Sequence, residues 1–341
     1  MTISTPVSAA AGRQQRRRSV VWPVLAALVS LPVAVLSLFR AVPVEWPTVV
    51  VQLLSFTPWL VIPAGTALLL AVVGRRRWLV WLTAALLGVQ LLWLFPLDHG
   101  RSTSDAGTQA VPLTVMNINS EFGQADAAEI VRLVRENGVA LLTVQEHSRG
   151  LEDRLAAAGL SALLPNRISD PTDDGGGSAV YSAHRMEAVG VVPDTPFQMP
   201  VVRVSVEGSG TTAVLEVANV HALPPVDVRV GQWRSDLAAV AGLAARPGNR
   251  LLIGDFNATY DHAEFRELLD GGPDGRKMVD VGMAAGMRLV PTWPMEGPLL
   301  PGIAIDHVVT SPGIAGSGYA VQRIPGTDHA AVRATLAVPA G

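Results

Sequence analysis

Leu251-Leu252-Ile253-Gly254-Asp255-Phe256-Asn257 is an apolar run that stops abruptly on a glycine and a carboxylate. Consecutive leucine and isoleucine fit a strand buried on both faces, and Asp-x-Asn after glycine fits a chain leaving that strand by a tight turn. Taken alone, Asp255 and Asn257 make an ordinary Asx-type turn. A carboxylate at the mouth of a buried strand is nevertheless costly unless it is solvated, paired or bound to a cation. The same pattern recurs along the chain.

Asn119 follows the apolar stretch Leu113–Met116, Glu146 follows Val139–Val144, and His221 ends Ala213–Val220. Asp306 opens the run towards Val309, and Asp328 and His329 follow a glycine. Ala179–Tyr181 and Val201–Val206 are further strand candidates. A helix starts near Asp126, where Asp126 and Glu129 have capping-box spacing. Ala127, Ile130, Val131 and Val134 then recur on one face, and Asn137-Gly138 stops it. Val228–Ala245 is a second helix candidate. Many strands with few helices between them predict an α+β fold with two packed sheets and helices outside.

Each polar residue has a plain reading by itself: a solvated strand end for Glu146, a satisfied core imidazole for His221, surface pairs for Asp306-His307 and Asp328-His329. Their number and position ask for a shared site. The chain has no cysteine, so a metal there would need carboxylate, amide or imidazole ligands, which suits Mg2+ or Mn2+.

In order and context, Val115-Met-Asn-Ile-Asn119, Thr143-Val-Gln-Glu146, Gly177-Ser-Ala-Val-Tyr-Ser182, Asn219-Val-His221, Gly254-Asp-Phe-Asn257, Ile305-Asp-His-Val308 and Gly326-Thr-Asp-His329 resemble the motif series of the endonuclease/exonuclease/phosphatase family, the deoxyribonuclease I-like enzymes. The resemblance spans about 112–338. It implies a four-layer α/β/β/α sandwich with the site at one edge of the two sheets. It also implies that Glu146 is the principal metal ligand, assisted by Asn119, with Asp328 supporting the metal. Asp255 would orient or deprotonate the attacking water and Asn257 would hold a phosphate oxygen. His329, polarised by Asp306, and His221 would contact the phosphate. Thr327 stands where the family often has serine, Asn117 fills a position often small or hydroxylated, and His184-Arg185 departs from the usual Ser-Arg pattern. Thr292-Trp293-Pro294 resembles a motif of bacterial membrane-linked members, where the aromatic lines the site. A packed loop tryptophan would read the same way.

The front of the chain is of a different kind. Val20–Phe39, Thr48–Val73 and Trp78–Phe95 are apolar runs, each close to the ~20 residues a spanning helix needs. Arg13, Arg16, Arg17 and Arg18 precede the first run and Arg75, Arg76 and Arg77 divide the second from the third, whereas 41–47 carries no basic residue. The positive-inside rule then puts residues 1–19 in the cytoplasm and everything after the third span outside it. A cleaved signal peptide from Arg16 to about Ala41 is the alternative, but two more long apolar runs follow it. Arg40 reads as a residue reaching to the interface, and Trp46, Trp78, Trp81 and Trp93 suit an aromatic belt or helix packing. Residues 96–111 read as a polar linker ahead of a catalytic domain at 112–341.

From Pro112 onward the formal charge is -9, against +6 before it. An acidic catalytic half is a poor generic partner for nucleic acid, whose binding rests on neutralised phosphates. The expected activity is therefore a membrane-anchored, extracytoplasmic phosphoesterase acting on a lipid headgroup or small phosphoester. Selectivity would lie in loops such as Asp170–Gly177 and Trp293–Gly302. Two alternatives stay open. An extracellular nuclease predicts an arginine cluster at the site drawn from Arg149, Arg185 and Arg203; a non-catalytic binding module needs none of the polar residues. No protein partner is expected.

Overall fold

Strands β1 (Ala110–Asn119) and β2 (Leu141–Gln145) lie parallel, joined by helix α5 (Ala127–Glu136). The computed structural model describes residues 8–96, 109–208, 210–297 and 301–340. It divides into two units, 1–97 and 98–341. The expected linker lies mostly outside the described residues.

In the first unit α1 (Ser8–Ala41) takes in most of the stretch expected as a basic tail. It is followed by α2 (Thr48–Leu54), α3 (Val61–Val73) and α4 (Arg77–Leu94). Val20–Ala41 and Arg77–Leu94 are long and apolar enough to cross a membrane. The second expected span is not one straight helix: Thr48–Leu54 and Thr57–Val73 meet at 68°, and count as a third span only if the bent pair is taken as one. The break has a local cause. Pro58 has no N–H to give the Leu54 carbonyl, and the Thr57 hydroxyl donates to it instead at 2.7 Å. Gln90 on α4 donates to the Ser37 hydroxyl on α1 at 2.8 Å, a polar tie of the kind that links apolar helices. Arg40 does not extend outward as the sequence suggested; it is 7% exposed, its guanidinium 4.3 Å from the Trp93 ring centroid.

The second unit continues after β2 with α6 (Arg149–Ala157), α7 (Leu160–Leu163), β3 (Asn166–Asp170), β4 (Ser178–Ser182), β5 (Met186–Val191), β6 (Pro200–Gly208) and β7 (Thr211–His221). Next come α8 (Val230–Ala244), β8 (Arg250–Asp255), α9 (Ala263–Asp270), β9 (Val279–Asp280), α10 (Val281–Ala284), β10 (Asp306–Thr310), β11 (Ala315–Arg323) and β12 (Ala330–Pro339). Two six-stranded sheets form, ordered β11-β12-β1-β2-β4-β3 and β5-β6-β7-β8-β10-β9. The period-2 pattern sorts their side chains into layers. Leu113 and Val115 enter the core between the sheets with Val204, Leu215, Val217 and Ile253, while Met116 and Ile118 face Ile130, Val134, Leu151 and Leu155 of α5 and α6. On the far side, Trp233 and Leu237 of α8 and Phe265 of α9 are buried. The result is the expected helix/sheet/sheet/helix sandwich.

Each sheet has one parallel pair near its centre, β1 with β2 and β7 with β8. A crossover helix returns the chain to the starting end, so both strands of a pair finish at the same edge. The antiparallel partner β10 begins there too, Asp306 lying opposite Asp255. Gly254 makes the β7–β8 contact possible: a Cβ on it would stand 1.9 Å from the Val220 carbonyl oxygen, at φ 151°.

Candidate active site

All eight residues singled out in the sequence come to that one edge. Asn119 ends β1, Glu146 follows β2, His221 ends β7, Asp255 ends β8 with Asn257 two residues on, Asp306 opens β10, and Asp328 and His329 precede β12. Glu146 and Asn257 hold left-handed backbones, φ 54° and 48°, a strained conformation for non-glycine residues that turns each side chain back over the edge.

Asn119 sits between two carboxylates. Its amide nitrogen donates to Glu146 Oε1 at 3.1 Å and to Asp255 Oδ2 at 3.0 Å, and its Oδ1 accepts from the Glu121 N–H. Glu146 Oε2 accepts from the Phe122 N–H at 2.8 Å. Asp255 Oδ1 accepts from the Asn257 N–H at 2.8 Å, and the Asn257 amide donates to the Ala222 carbonyl and to Asp255. His329 Nδ1 lies 3.0 Å from Asp306 Oδ2, and its Nε2 is 3.8 Å from both Asp255 and Asp328. His221 Nε2 is 3.9 Å from Glu146 Oε1, and its ring stacks on Phe197 at 4.3 Å.

Charge is unevenly spread. Burial pushes both Glu146 and Asp255 above the usual carboxylate range. Burial alone would lower His329, but Asp306, Asp255 and Asp328 outweigh it and raise the imidazole to about 10. His221 goes the other way: burial, helped by the charge on His329, lowers it to about 3. One histidine is therefore a cation at neutral pH and the other a neutral ring.

Two buried carboxylates, Asp255 and Asp306, and two partly exposed ones, Glu146 and Asp328, around one imidazole fit a divalent cation. The donors are oxygens, Asp306 Oδ1 is buried with no hydrogen-bond partner, and Asp255, Asp306 and His329 bring one ligand-type atom each within 4.8 Å of one another. A protonated His329 tied to Asp306 cannot itself ligate through Nδ1, so Glu146 and Asp328 are the better side for the ion. Asn119 presents its amide nitrogen there, bridging the carboxylates; a half-turn of that amide would present its oxygen instead.

The sequence reading missed the support around Asp328. Trp293 Nε1 donates to Asp328 Oδ2 at 2.7 Å, the Asp328 N–H donates to Glu121 at 2.7 Å, and Met295 N–H donates to the Asp328 carbonyl. The tryptophan thus both lines the site and holds a site carboxylate. Glu121 and Phe122 carried no signal, since Phe122 acts through its backbone N–H, which any residue has. Of the three arginines considered, Arg149 opens α6 three residues after Glu146, and the other two lie away from the site. Arg203 lies opposite Glu216, five residues before His221, and pairs with Glu187 at 2.6 Å. Arg185 follows the end of β4 that is opposite Leu141, remote from Glu146.

A scan against family models matches residues 116–329 to the endonuclease/exonuclease/phosphatase family. No curated protein matches. Among solved structures, a humanized D. rerio TDP2 with 14 mutations aligns at TM-score 0.51 and 15% identity, covering 66% of this chain and 98% of that one. D. rerio TDP2 complexed with single strand DNA product aligns at 0.51 and 16%, covering 66% and 98%. The endonuclease/exonuclease/phosphatase from Beutenbergia cavernae DSM 12333 aligns at 0.50 and 16%, covering 67% and 72%. At such identities the likeness is one of fold.

Proposed function

Since the chain belongs to the endonuclease/exonuclease/phosphatase family and is a metal-dependent phosphoric ester hydrolase, we propose that it is held in the cytoplasmic membrane and cleaves a phosphomonoester or phosphodiester outside the cytoplasm. A lipid headgroup or other small phosphoester is the favoured substrate. The observation that carries the hydrolytic part of this reading is the meeting of Asn119, Glu146, Asp255, Asp306 and His329 at one sheet edge, with His329 3.0 Å from Asp306 and 3.8 Å from Asp255.

Magnesium or manganese, when bound, would draw charge from the phosphoryl oxygens and lower the pKa of a water. Glu146, Asp328 and Asn119 would hold it. Asp255, whose basicity burial raises, orients the attacking water and accepts its proton. The Asn257 N–H and side-chain amide keep that carboxylate turned into the site. His329, kept charged by Asp306, donates Nε2–H to a phosphate oxygen, where charge accumulates in the transition state. His221, neutral and clamped by Phe197, offers one hydrogen bond without adding charge. Asn257 supplies an amide to the other side of the phosphate.

The nuclease alternative keeps only one of the three arginines it called for: Arg149 opens α6 three residues after Glu146, whereas Arg185 and Arg203 lie away from the site, and the unit is acidic. The binding-module alternative has no use for a charged imidazole facing buried carboxylates. The test is hydrolysis by the full chain in detergent, with and without Mg2+ or Mn2+, offered a soluble bis-ester, a monoester, DNA and phospholipid. We expect metal-dependent turnover of an ester other than DNA, abolished in Asp255→Ala; a folded protein inert to all four would overturn the reading.

A further inference from the structure

Large apolar side chains exposed on the described part of the second unit are few: Phe122, Val189, Val191, Val214, Val228 and Leu289. Four of them belong to the segments that border the site. Phe122, 57% exposed, follows β1 and gives its N–H to Glu146. Val191 ends β5 opposite Pro200, where β6 enters from the Phe197 loop. Leu289 lies between Arg288, paired with Asp261, and Trp293. Val228 is 94% exposed at the tip of the loop that leaves His221. That loop is stiff: Pro224-Pro225 restrict it, Val226 N–H donates to the Pro224 carbonyl, Arg229 N–H donates to the Val226 carbonyl, and Asp227 turns at φ 50°. A stiff arm thus holds an exposed valine close in sequence to His221, on the same side of the fold as exposed Phe122 next to Glu146.

We propose that the site-bearing edge of the sandwich docks onto a bilayer, with Val228 as the leading contact and Phe122 and Leu289 beside it, so that the substrate is a phosphoester presented at a lipid surface. The proposal rests on the reading above that the chain is a membrane-held phosphoesterase. Geometry allows it although the chain enters at the other end: β1 carries it from Ala110 to Asn119, about 30 Å at ~3.3 Å per residue. The stretch from Pro96 to Gln109 reaches up to about 45 Å when extended. The edge can therefore be turned to the membrane that anchors the chain. With a formal charge of -9 from Pro112 onward, attraction to anionic lipid is not available, so the contact must be apolar and should form on zwitterionic bilayers.

The chain has no cysteine, which permits a clean single-site probe. Full-length Val228→Cys and Val214→Cys, each carrying an environment-sensitive fluorophore, would be reconstituted in phosphatidylcholine vesicles with nitroxide-labelled lipid. Val214 is equally a surface valine but lies near the opposite end of β7, seven residues from His221. We expect a blue shift and at least threefold stronger quenching at 228 than at 214; equal quenching, or stronger quenching at 214, overturns the proposal. In a second arm, a double variant Val228→Asp, Leu289→Asp meets the same phospholipid in a soluble dibutyryl and a vesicle-borne dioleoyl form. Turnover of the soluble form should stay within twofold while that of the vesicle-borne form falls about tenfold; equal loss on both would overturn the docking role. If the parent cleaves neither form yet the quenching contrast holds, the docking surface stands and the catalytic reading fails.

Discussion

His329 and Asp306 show how two side chains can set the working pH range of the site. The imidazole is raised from its ordinary 6.5 to about 10, chiefly because neighbouring carboxylates outweigh its burial. Activity that needs this cation should hold through neutral pH and fall on an alkaline limb near 10. Buried Glu146 and Asp255, raised above the usual range, put the acid limb above that of an exposed carboxylate. Asp306→Asn is expected to move the alkaline limb down by a unit or more and to lower kcat by about 100-fold, read from kcat against pH; an unmoved limb would show that Asp306 does not hold the charge. The stability consequence has a fixed sign. A histidine whose folded pKa is raised contributes fully below its unfolded value of about 6.5, and the contribution is lost as pH rises through about 10. Thermal unfolding of His329→Gln should therefore show a shallower decline than the parent between those values.

Among elements, the two parallel strand pairs matter most, because they bring four functional side chains to one edge through backbone hydrogen bonding alone. Gly254 is the tightest point of this arrangement. With the Val220 carbonyl oxygen 1.9 Å from any added Cβ, Gly254→Ala must push β8 away from β7 and move Asp255 with it. We expect a loss of stability of about 3 kcal/mol or more, measured by denaturant unfolding, with Mg2+-dependent activity falling further than folding accounts for. In the core between the sheets, Leu215→Ala should cost about 2–5 kcal/mol and leave kcat of the folded fraction unchanged, since Leu215 lies six residues from His221. The contrast separates packing along the strands from geometry at their ends.

For the whole molecule, a cation that binds only the native site must stabilise it. Raising Mg2+ to 100 times its dissociation constant should add about 2.7 kcal/mol, seen as a higher Tm, and the increment should vanish in Glu146→Gln; a Tm that rises equally in both would point to binding elsewhere. The proposed membrane anchoring is checked by alkaline extraction: the full chain is expected to stay in the membrane fraction, and its release would overturn the anchoring.

The sequence by itself determined the two kinds of material in the chain, the sandwich class and the eight polar residues that the fold brings to one edge. These are encoded locally: runs of apolar residues long enough to span or to lie buried, and polar groups at strand ends where burial makes them costly. Even the cap at Asp126 was legible, and its carboxylate accepts from the Ala128 and Glu129 N–H groups. Other elements were not. β11 was missed because Ala315-Gly-Ser-Gly carries little β-branched or periodic signal; β12 was missed although Val332, Ala334, Leu336 and Val338 alternate into the core, and the two strands pair with each other and β12 with β1. The bend inside Thr48–Val73 escaped a hydropathy reading that sees composition and not the missing N–H of Pro58. The resemblance already implied that Asp306 polarises His329; only the tertiary structure brought Asp255 and Asp328 to the same ring and left His221 buried against Phe197, so that the two histidines differ in charge. It alone tied Trp293 to Asp328 and parted Arg185 and Arg203 from the site. Charge state and neighbourhood are properties of distance in space, and residues far apart in sequence acquire that distance only when the sheets pack.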